Sequence, residues 1–371
     1  MLIQLRSPIS EAVSPADEYL MGFLDKTEAM ITNVKTEVGC CQIDDVVLPF
    51  TINEAEYDNS YVCSPYTALI PYCIEELGKL DNWLLRIGVE KLILIFDRIL
   101  KKNNINRVIH INNWLLSTNL YPQKDKALNI ESLIEGITRQ YKNHTVIFRS
   151  LNYFLNPALI SEFMSAGCMI VPTRQVYLYY KSLNDYSKTH NYKVDKKLIE
   201  KTEYQYVKQS DINESDYARI VELYNMLYIN KYSKHNPQFT IQYIAVIIKH
   251  PLFYVEGFRN IHGILDAVGG RFTIANTTTL PIVGYDTSKP AKLGLYRMVL
   301  MSALLYSERN NYCFNASSGA PHFKKLRGAV PHIEYSAVYI KHLSAHSQCI
   351  WKVLAYIMRK LFVPIMKKYQ L

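Results

Sequence analysis

Leu280-Pro-Ile-Val-Gly-Tyr-Asp-Thr-Ser-Lys-Pro-Ala-Lys-Leu-Gly-Leu-Tyr296 reads as a strand, a polar turn and the start of a helix. Leu280–Asp286 is mostly apolar and contains the β-branched Ile282 and Val283, a composition that suits a pleated, half-buried strand. Thr287-Ser288-Lys289-Pro290 interrupts it with turn formers. From Lys292 to Arg309, Leu293, Leu295, Val299, Leu300, Ala303 and Leu304 return at helical spacing.

The flanking segments continue the pattern. Upstream, Glu203–Ser210 reads as a strand, a helix runs from Asp211 or Glu214 to Asn230, and Thr240–His250 is a helix stopped by Pro251. Leu252–Phe258, Ile261–Ala267 and Gly269–Ala275 read as short strands with turns at Arg259-Asn260 and Gly269-Gly270. Downstream come a strand at Tyr312–Ala316, a short helix at His322–Gly328 and a strand at His332–Ile340. This order, strand, two helices, a meander, helix, strand, helix, strand, resembles that of the GNAT acyltransferases. Asn315-Ala-Ser-Ser-Gly-Ala-Pro-His-Phe-Lys-Lys-Leu-Arg-Gly-Ala-Val-Pro-His-Ile-Glu-Tyr-Ser-Ala-Val-Tyr339 is similar to the C-terminal half-domain of Fem-type peptidyltransferases.

The GNAT resemblance implies that the strand before the central helix splays from its neighbour near Val283 and Tyr312 and admits the pantetheine arm of coenzyme A. The next helix would then point its N-terminal amides at the pyrophosphate. Residues carried over on that basis are Val283, Tyr285, Lys289, Lys292, Leu293, Gly294, Leu295, Tyr296 and Arg297. Lys289, Lys292 and Arg297 would neutralise phosphate, and Gly294 would permit close backbone approach. The turn departs from the family pattern: it holds a single glycine, and Phe323 stands nearest the family's leaving-group tyrosine.

The first half repeats part of this order. Phe148-Arg-Ser-Leu-Asn, a helix and Ala166-Gly-Cys-Met-Ile-Val-Pro-Thr-Arg-Gln-Val-Tyr177 parallel Phe314-Asn-Ala-Ser-Ser, a helix and Arg327-Gly-Ala-Val-Pro-His-Ile-Glu-Tyr-Ser-Ala-Val-Tyr339. Strand candidates at Arg107–Trp114 and His144–Ser150 and a helix at Ile130–Tyr141 complete that half. Pro172 marks its long strand, Cys168–Tyr180, as an edge or a bulge. The expected fold class is α/β (α+β): tandem GNAT-like domains, each a mixed, mostly antiparallel sheet flanked by helices. The expected boundaries are 1–190 for a degenerate first unit, 195–345 for the acyltransferase unit and 346–371 for a basic amphipathic helix, with the lysine-rich stretch Lys181–Lys201 as the join.

Acyl transfer to an amine needs a base for the ammonium proton, donors for the oxyanion and an acid for the leaving group. Glu256, Asp266 and Glu334 are candidate bases on the meander and last strand. Asn315 and Ser317, with Ser318, end a strand where acceptor or oxyanion would sit; capping of the following helix is the competing role. Tyr339, with Tyr285 and Tyr335, is a candidate acid, and Lys324 and Arg327 are candidate binders of phosphate or carboxylate. No histidine or cysteine spacing suits a metal, so none is expected. Gly-x-Ser-x-Gly, a P-loop and Gly-x-Gly-x-x-Gly are absent, which argues against a hydrolase elbow and nucleotide-fold motifs.

The 371-residue chain carries a net charge of +9, but six basic residues and no acidic ones lie from Lys341 onward. The remaining +3 is spread over the rest of the chain, which argues against a broad nucleic-acid face. Seven scattered cysteines suit reduced thiols, and Met1-Leu-Ile-Gln-Leu-Arg6 lacks the pattern of a secretory leader. The expected location is therefore cytoplasmic, with peripheral contact at the inner membrane face through the C-terminal helix, or packing of that helix onto the fold. The expected activity is transfer of an acyl group from a coenzyme A thioester or a phosphopantetheine-bound donor, including acyl-carrier protein, to an amine acceptor. A tRNA-dependent aminoacyl transfer of the Fem type and a non-catalytic GNAT-like binding protein are the alternatives.

Overall fold

The structure is a computed structural model and describes residues 4–8, 14–43, 45–78, 82–122 and 129–369. The first half runs β1 (Gln4–Arg6), α1 (Pro15–Met21), α2 (Thr27–Met30), β2 (Glu37–Ile43), β3 (Val46–Asn53), α3 (Pro65–Leu69), α4 (Pro71–Leu77), α5 (Trp83–Lys102) and β4 (Val108–Ile111). It continues through α6 (Ile130–Gln140), β5 (Thr145–Leu151), α7 (Pro157–Ser165) and β6 (Met169–Tyr179). The second half runs α8 (His190–Lys201), β7 (Gln205–Val207), α9 (Tyr217–Tyr224), α10 (Ile241–Lys249), β8 (Phe253–Arg259), β9 (Leu265–Ile274) and β10 (Thr277–Tyr285). It ends with α11 (Leu295–Asn310), β11 (Cys313–Asn315), α12 (Pro321–Lys325), β12 (Val330–Tyr339), α13 (Ala345–Ile357) and α14 (Val363–Tyr369). α9 widens into a π-helix over Asn225–Tyr232.

The strands form one sheet in the order β1-β2-β3-β4-β5-β12-β6-β11-β10-β9-β8-β7. The two long repeat strands are exchanged. β6 does not pair with β5, nor β12 with β11; instead β12 lies antiparallel to β5, and β6 lies antiparallel to β11. β6 and β12 then pair with each other from Val330↔Leu178 to Val338↔Met169. Pro172 stands at the register shift in that ladder, opposite Tyr335, so the bulge expected from proline is present in a central strand.

Two corrections concern the meander. Gly269 and Gly270 make no turn; they lie within β9, opposite Val283 and Ile282. A Cβ on Gly269 would stand 2.9 Å from Val299 Cγ1, so the glycine lets α11 press against the sheet. The strand expected from Ile261 starts at Leu265, because Asn260–Gly263 forms the turn, with Gly263 at φ 76°.

The lysine-rich join is not a linker of coil: most of it is α8, whose Tyr192 and Ile199 pack with α11 and β6. The C-terminal helices fold back on the first half. Trp351, Leu354 and Met358 join a core with Val89 and Ile93 of α5 and Val171 of β6, and the Trp351 indole donates to Thr145 Oγ1 at 3.1 Å. Among the described residues no helix is long and apolar enough to cross a membrane.

Candidate functional site

β10 and β11 are parallel neighbours for three positions only, Thr277↔Cys313, Thr278↔Phe314 and Thr279↔Asn315. β11 then ends, while β10 continues to Tyr285. Past Thr279, among the described residues, β10 is paired only on its β9 edge, and its register shifts between Thr279 and Ile282. The other edge of Leu280–Tyr285 has no strand paired to it among the described residues. Such an edge presents backbone N–H and C=O groups that an extended ligand arm can pair with.

The faces of β10 beside that edge are held by close packing. A Cβ on Gly284 would stand 2.5 Å from the Leu223 carbonyl carbon and the Tyr224 nitrogen, so only glycine lets α9 lie this close to β10. Val283 packs on the other side with Met298 and Val299 of α11. Tyr285, Tyr296 and Phe323 follow one another in ring contact, with centroids 6.1 and 5.0 Å apart. Burial raises the Tyr228 and Tyr296 hydroxyls above the ordinary phenol range, so both stay protonated.

The loop after β11 is held on β6: the Ala316 N–H donates to the Tyr177 carbonyl at 2.9 Å and the Tyr177 N–H to the Ser317 carbonyl at 3.1 Å. Asn315 is buried and its Oδ1 accepts from the Ser317 N–H at 2.9 Å, which turns the chain; Ser317 takes φ 58°. Lys324 is buried beneath this loop, with 3% exposure. Its Nζ donates to the carbonyls of Ala316 (2.6 Å), Ser317 (3.3 Å) and Ser318 (2.7 Å). Burial, and then the Arg174 guanidinium, pull its pKa down to about 7. Thr118 joins the loop to the swapped strands: its hydroxyl donates to Ser317 Oγ at 3.2 Å and accepts from Arg174 Nη2 at 2.9 Å. Arg174 in turn grips Glu334 through two bonds, 2.8 and 3.2 Å.

Asn315, Ser317 and Glu334 therefore share one hydrogen-bonded network with Lys324, across the exchange of β6 and β12. The other candidates lie elsewhere. Glu256 is buried on β8 between Arg271 Nη1 (2.9 Å) and the Tyr206 hydroxyl (2.6 Å). Asp266 accepts from Tyr204 (2.9 Å) and Asn260 (3.0 Å), with Arg219 at 3.6 Å. Burial, then Asp266, raise the Tyr204 hydroxyl to about 12. Tyr339 is at the opposite end of β12, beside Val146 and stacked on His342, about 30 Å of strand from Val330.

The turn before α11 has its left-handed residue at Gly294, φ 70°. Leu293 and Tyr296 are half-buried there, and Leu295 is buried. Lys289 and Lys292 are exposed, with Lys289 4.0 Å from Asp266. Arg297 is engaged: its Nε donates to Asp195 of α8 at 2.6 Å, and Arg327 Nε donates to the other oxygen of the same buried carboxylate. Leu198 of α8 stands 2.6 Å from where a Gly294 Cβ would be. α8 thus lays a carboxylate and a leucine over the helix N-terminus expected to face a pyrophosphate.

Arg174, Asp195 and Thr118 escaped the sequence reading. A signal existed for the first, a lone charge within the apolar strand Cys168–Tyr180. Asp195 had none, sitting in a run of charged residues. Among the described residues no cluster of metal-ligating side chains occurs.

No protein-family profile and no curated protein matches the sequence. Among solved structures, FemX aligns with a TM-score of 0.53 at 7% identity, covering 96% of this chain and 100% of that one. L-PGS from Bacillus licheniformis aligns at 0.44 and 11% identity, over 61% of this chain and 77% of that one. A tandem GNAT protein from the clavulanic acid biosynthesis pathway aligns at 0.38 and 8% identity, over 91% and 98%. At such identities the likeness is one of fold: the chain is a mixed α/β molecule with a GNAT-like fold, resembling the Fem-type enzymes.

Proposed function

We propose that the protein is an acyltransferase whose activated donor enters the opening beside Leu280–Tyr285 and is attacked there by an amine. The observation that carries this reading is the parting of β10 from β11 after Thr279, next to the network around Lys324. Glu256 and Glu334 are committed to buried ion pairs, and Asp266 to Tyr204 and Asn260. Lys324, whose pKa burial pulls down to about 7, is our candidate for taking the ammonium proton once its Nζ is released from one of the three loop carbonyls it holds. As the nitrogen–carbonyl bond forms and the bond to the leaving sulfur or oxygen breaks, that proton passes on to the leaving group. Asn315 and Ser317 keep the loop carbonyls in place around the lysine.

Asp195 and Leu198 disfavour a free coenzyme A diphosphate at the α11 turn, so a thioester held on a carrier's phosphopantetheine is the preferred donor. Units at 1–190 and 195–345 with exchanged strands, and a basic extension at 346–371, form the proposed organisation. The second reading is aminoacyl transfer of the Fem type, and it draws on the end-to-end alignment with FemX.

Purified protein is to be incubated with acetyl-CoA, longer acyl-CoAs, acyl-carrier protein or aminoacyl-tRNA and an amine mixture, with products read by mass spectrometry. Transfer from the carrier protein, reduced roughly a hundredfold in Lys324→Met with the circular dichroism of the folded protein retained, is expected. Turnover with aminoacyl-tRNA alone favours the second reading. Absence of turnover with every donor sinks the transferase proposal and leaves a binding protein.

A further inference from the structure

α5 is a 20-residue helix whose inner side, Val89, Ile93 and Leu100, is buried in the core it shares with the C-terminal helices. Its outer side is also apolar. Trp83 is 62% exposed, Leu84 64%, Leu94 52% and Ile95 60%, and Ile87 and Ile99 are exposed as well. Apolar groups on both sides are the pattern of a helix covered by something on each. A contiguous exposed stripe of this kind marks an interaction face.

The charge on the helix says what kind of partner covers it. α5 carries Arg86, Lys91, Arg98, Lys101 and Lys102 against Glu90 and Asp97, an excess of three. The adjoining C-terminal segment carries six basic residues and no acidic ones, so the two together equal the whole net charge of +9. They are neighbours: Phe96 and Leu100 line a small apolar cavity with Leu354 and Phe362. Lys352, Val353, Tyr356 and Lys360 face outward from the C-terminal helices. Two copies of such a face would bring like charges together, which disfavours self-association. Bases interleaved with apolar side chains along one exposed helix face suit an anionic lipid surface, where long cationic side chains reach the headgroups while their apolar neighbours enter the acyl boundary. With charges at Lys91 and Arg98, and no helix long and apolar enough to cross a membrane among the described residues, α5 suits lying in the plane of such a surface, about 30 Å along it.

We propose that α5, supported by the basic C-terminal helices, docks this protein on an anionic lipid bilayer. This is independent of the acyltransferase reading.

The full chain should co-sediment with vesicles containing phosphatidylglycerol and far less with pure phosphatidylcholine, and salt should weaken the binding. Leu84→Glu with Ile95→Glu should lower the affinity roughly a hundredfold, with circular dichroism and melting temperature unchanged. Trp114 and Trp351 are already buried, so the vesicle-induced blue shift of tryptophan emission should vanish in Trp83→Phe. Equal binding to both vesicles, an unaffected double variant, or a blue shift that survives Trp83→Phe overturns the proposal. So does a dimer in solution that the double variant makes monomeric, or an acidic carrier protein captured through α5 while vesicles are ignored.

Discussion

β4 and β5 pair in parallel along the whole of β4, from Val108↔Thr145 to Ile111↔Phe148. β10 and β11 hold the corresponding place in the second half, yet pair only for the three residues of β11, and β10 runs on for six residues more. In the first half the chain turns away at once after β4, with Asn112 at φ 56°. The segment that follows lies along the end of β5, where the Asn119 N–H donates to Ser150 Oγ at 3.0 Å and the Tyr121 hydroxyl to the Arg149 carbonyl at 2.6 Å, while Trp114, Leu115 and Leu116 enter a core with Tyr19 and Phe272; Asn112 accepts from the Trp114 indole at 2.9 Å and donates to the Leu120 carbonyl at 2.8 Å. The difference teaches that unequal strand lengths leave one edge of a parallel pair without a partner strand.

The largest effect should come from the core that Trp114 enters. Trp114→Ala is expected to cost about 3–5 kcal/mol in urea unfolding, since the ring packs on Tyr19 and Phe272. A cost below about 1 kcal/mol would mean that the ring is not held in that core. Next, Arg174→Ala strands the buried Glu334 and should cost about 3 kcal/mol in the same measurement. Restoring neutrality with Glu334→Gln in that background should recover part of it.

Lys324 separates the two strand pairs by pH. The unfolded lysine holds its proton to about pH 10, and the folded one releases it near 7. Between these values the unfolded state binds more protons, so stability rises with pH and is lowest below 7. Wild type should gain about 2 kcal/mol over Lys324→Met between pH 7 and 9. Parallel lines for the two proteins would show that the lysine is not desolvated. The smallest effect is expected at the mouth of the opening. Asp195→Ala frees Arg297 and Arg327 and should raise coenzyme A affinity about tenfold in calorimetry, roughly one charge-assisted contact.

Element order in the second half was legible, because α11, β10 and the β11–α12–β12 run carry strong local patterns. The repeat was legible too, since Gly167 and Gly328, both at φ 90°, close the short helices in each half. The strand exchange was not. The pattern of Cys168–Tyr180 says strand and leaves its neighbours unspecified, and both of its partners come from the other half of the chain. Gly269-Gly270 was misread because a glycine pair serves a turn or a tight helix–sheet contact equally well, and only Val299 and Ile282 decide between them. Glu334 reads as a candidate base in the sequence because the guanidinium that engages it lies 160 residues away.

The exchange of β6 and β12 bears on how the molecule is made. Until Val330–Tyr339 has left the ribosome, β5 and β6 have no strand between them, and the slot they leave is lined by unpaired main-chain groups on both sides. Neither half can close its own sheet. Severing the chain between them should yield two sticky fragments rather than two soluble ones, and their co-expression should restore what each alone lacks.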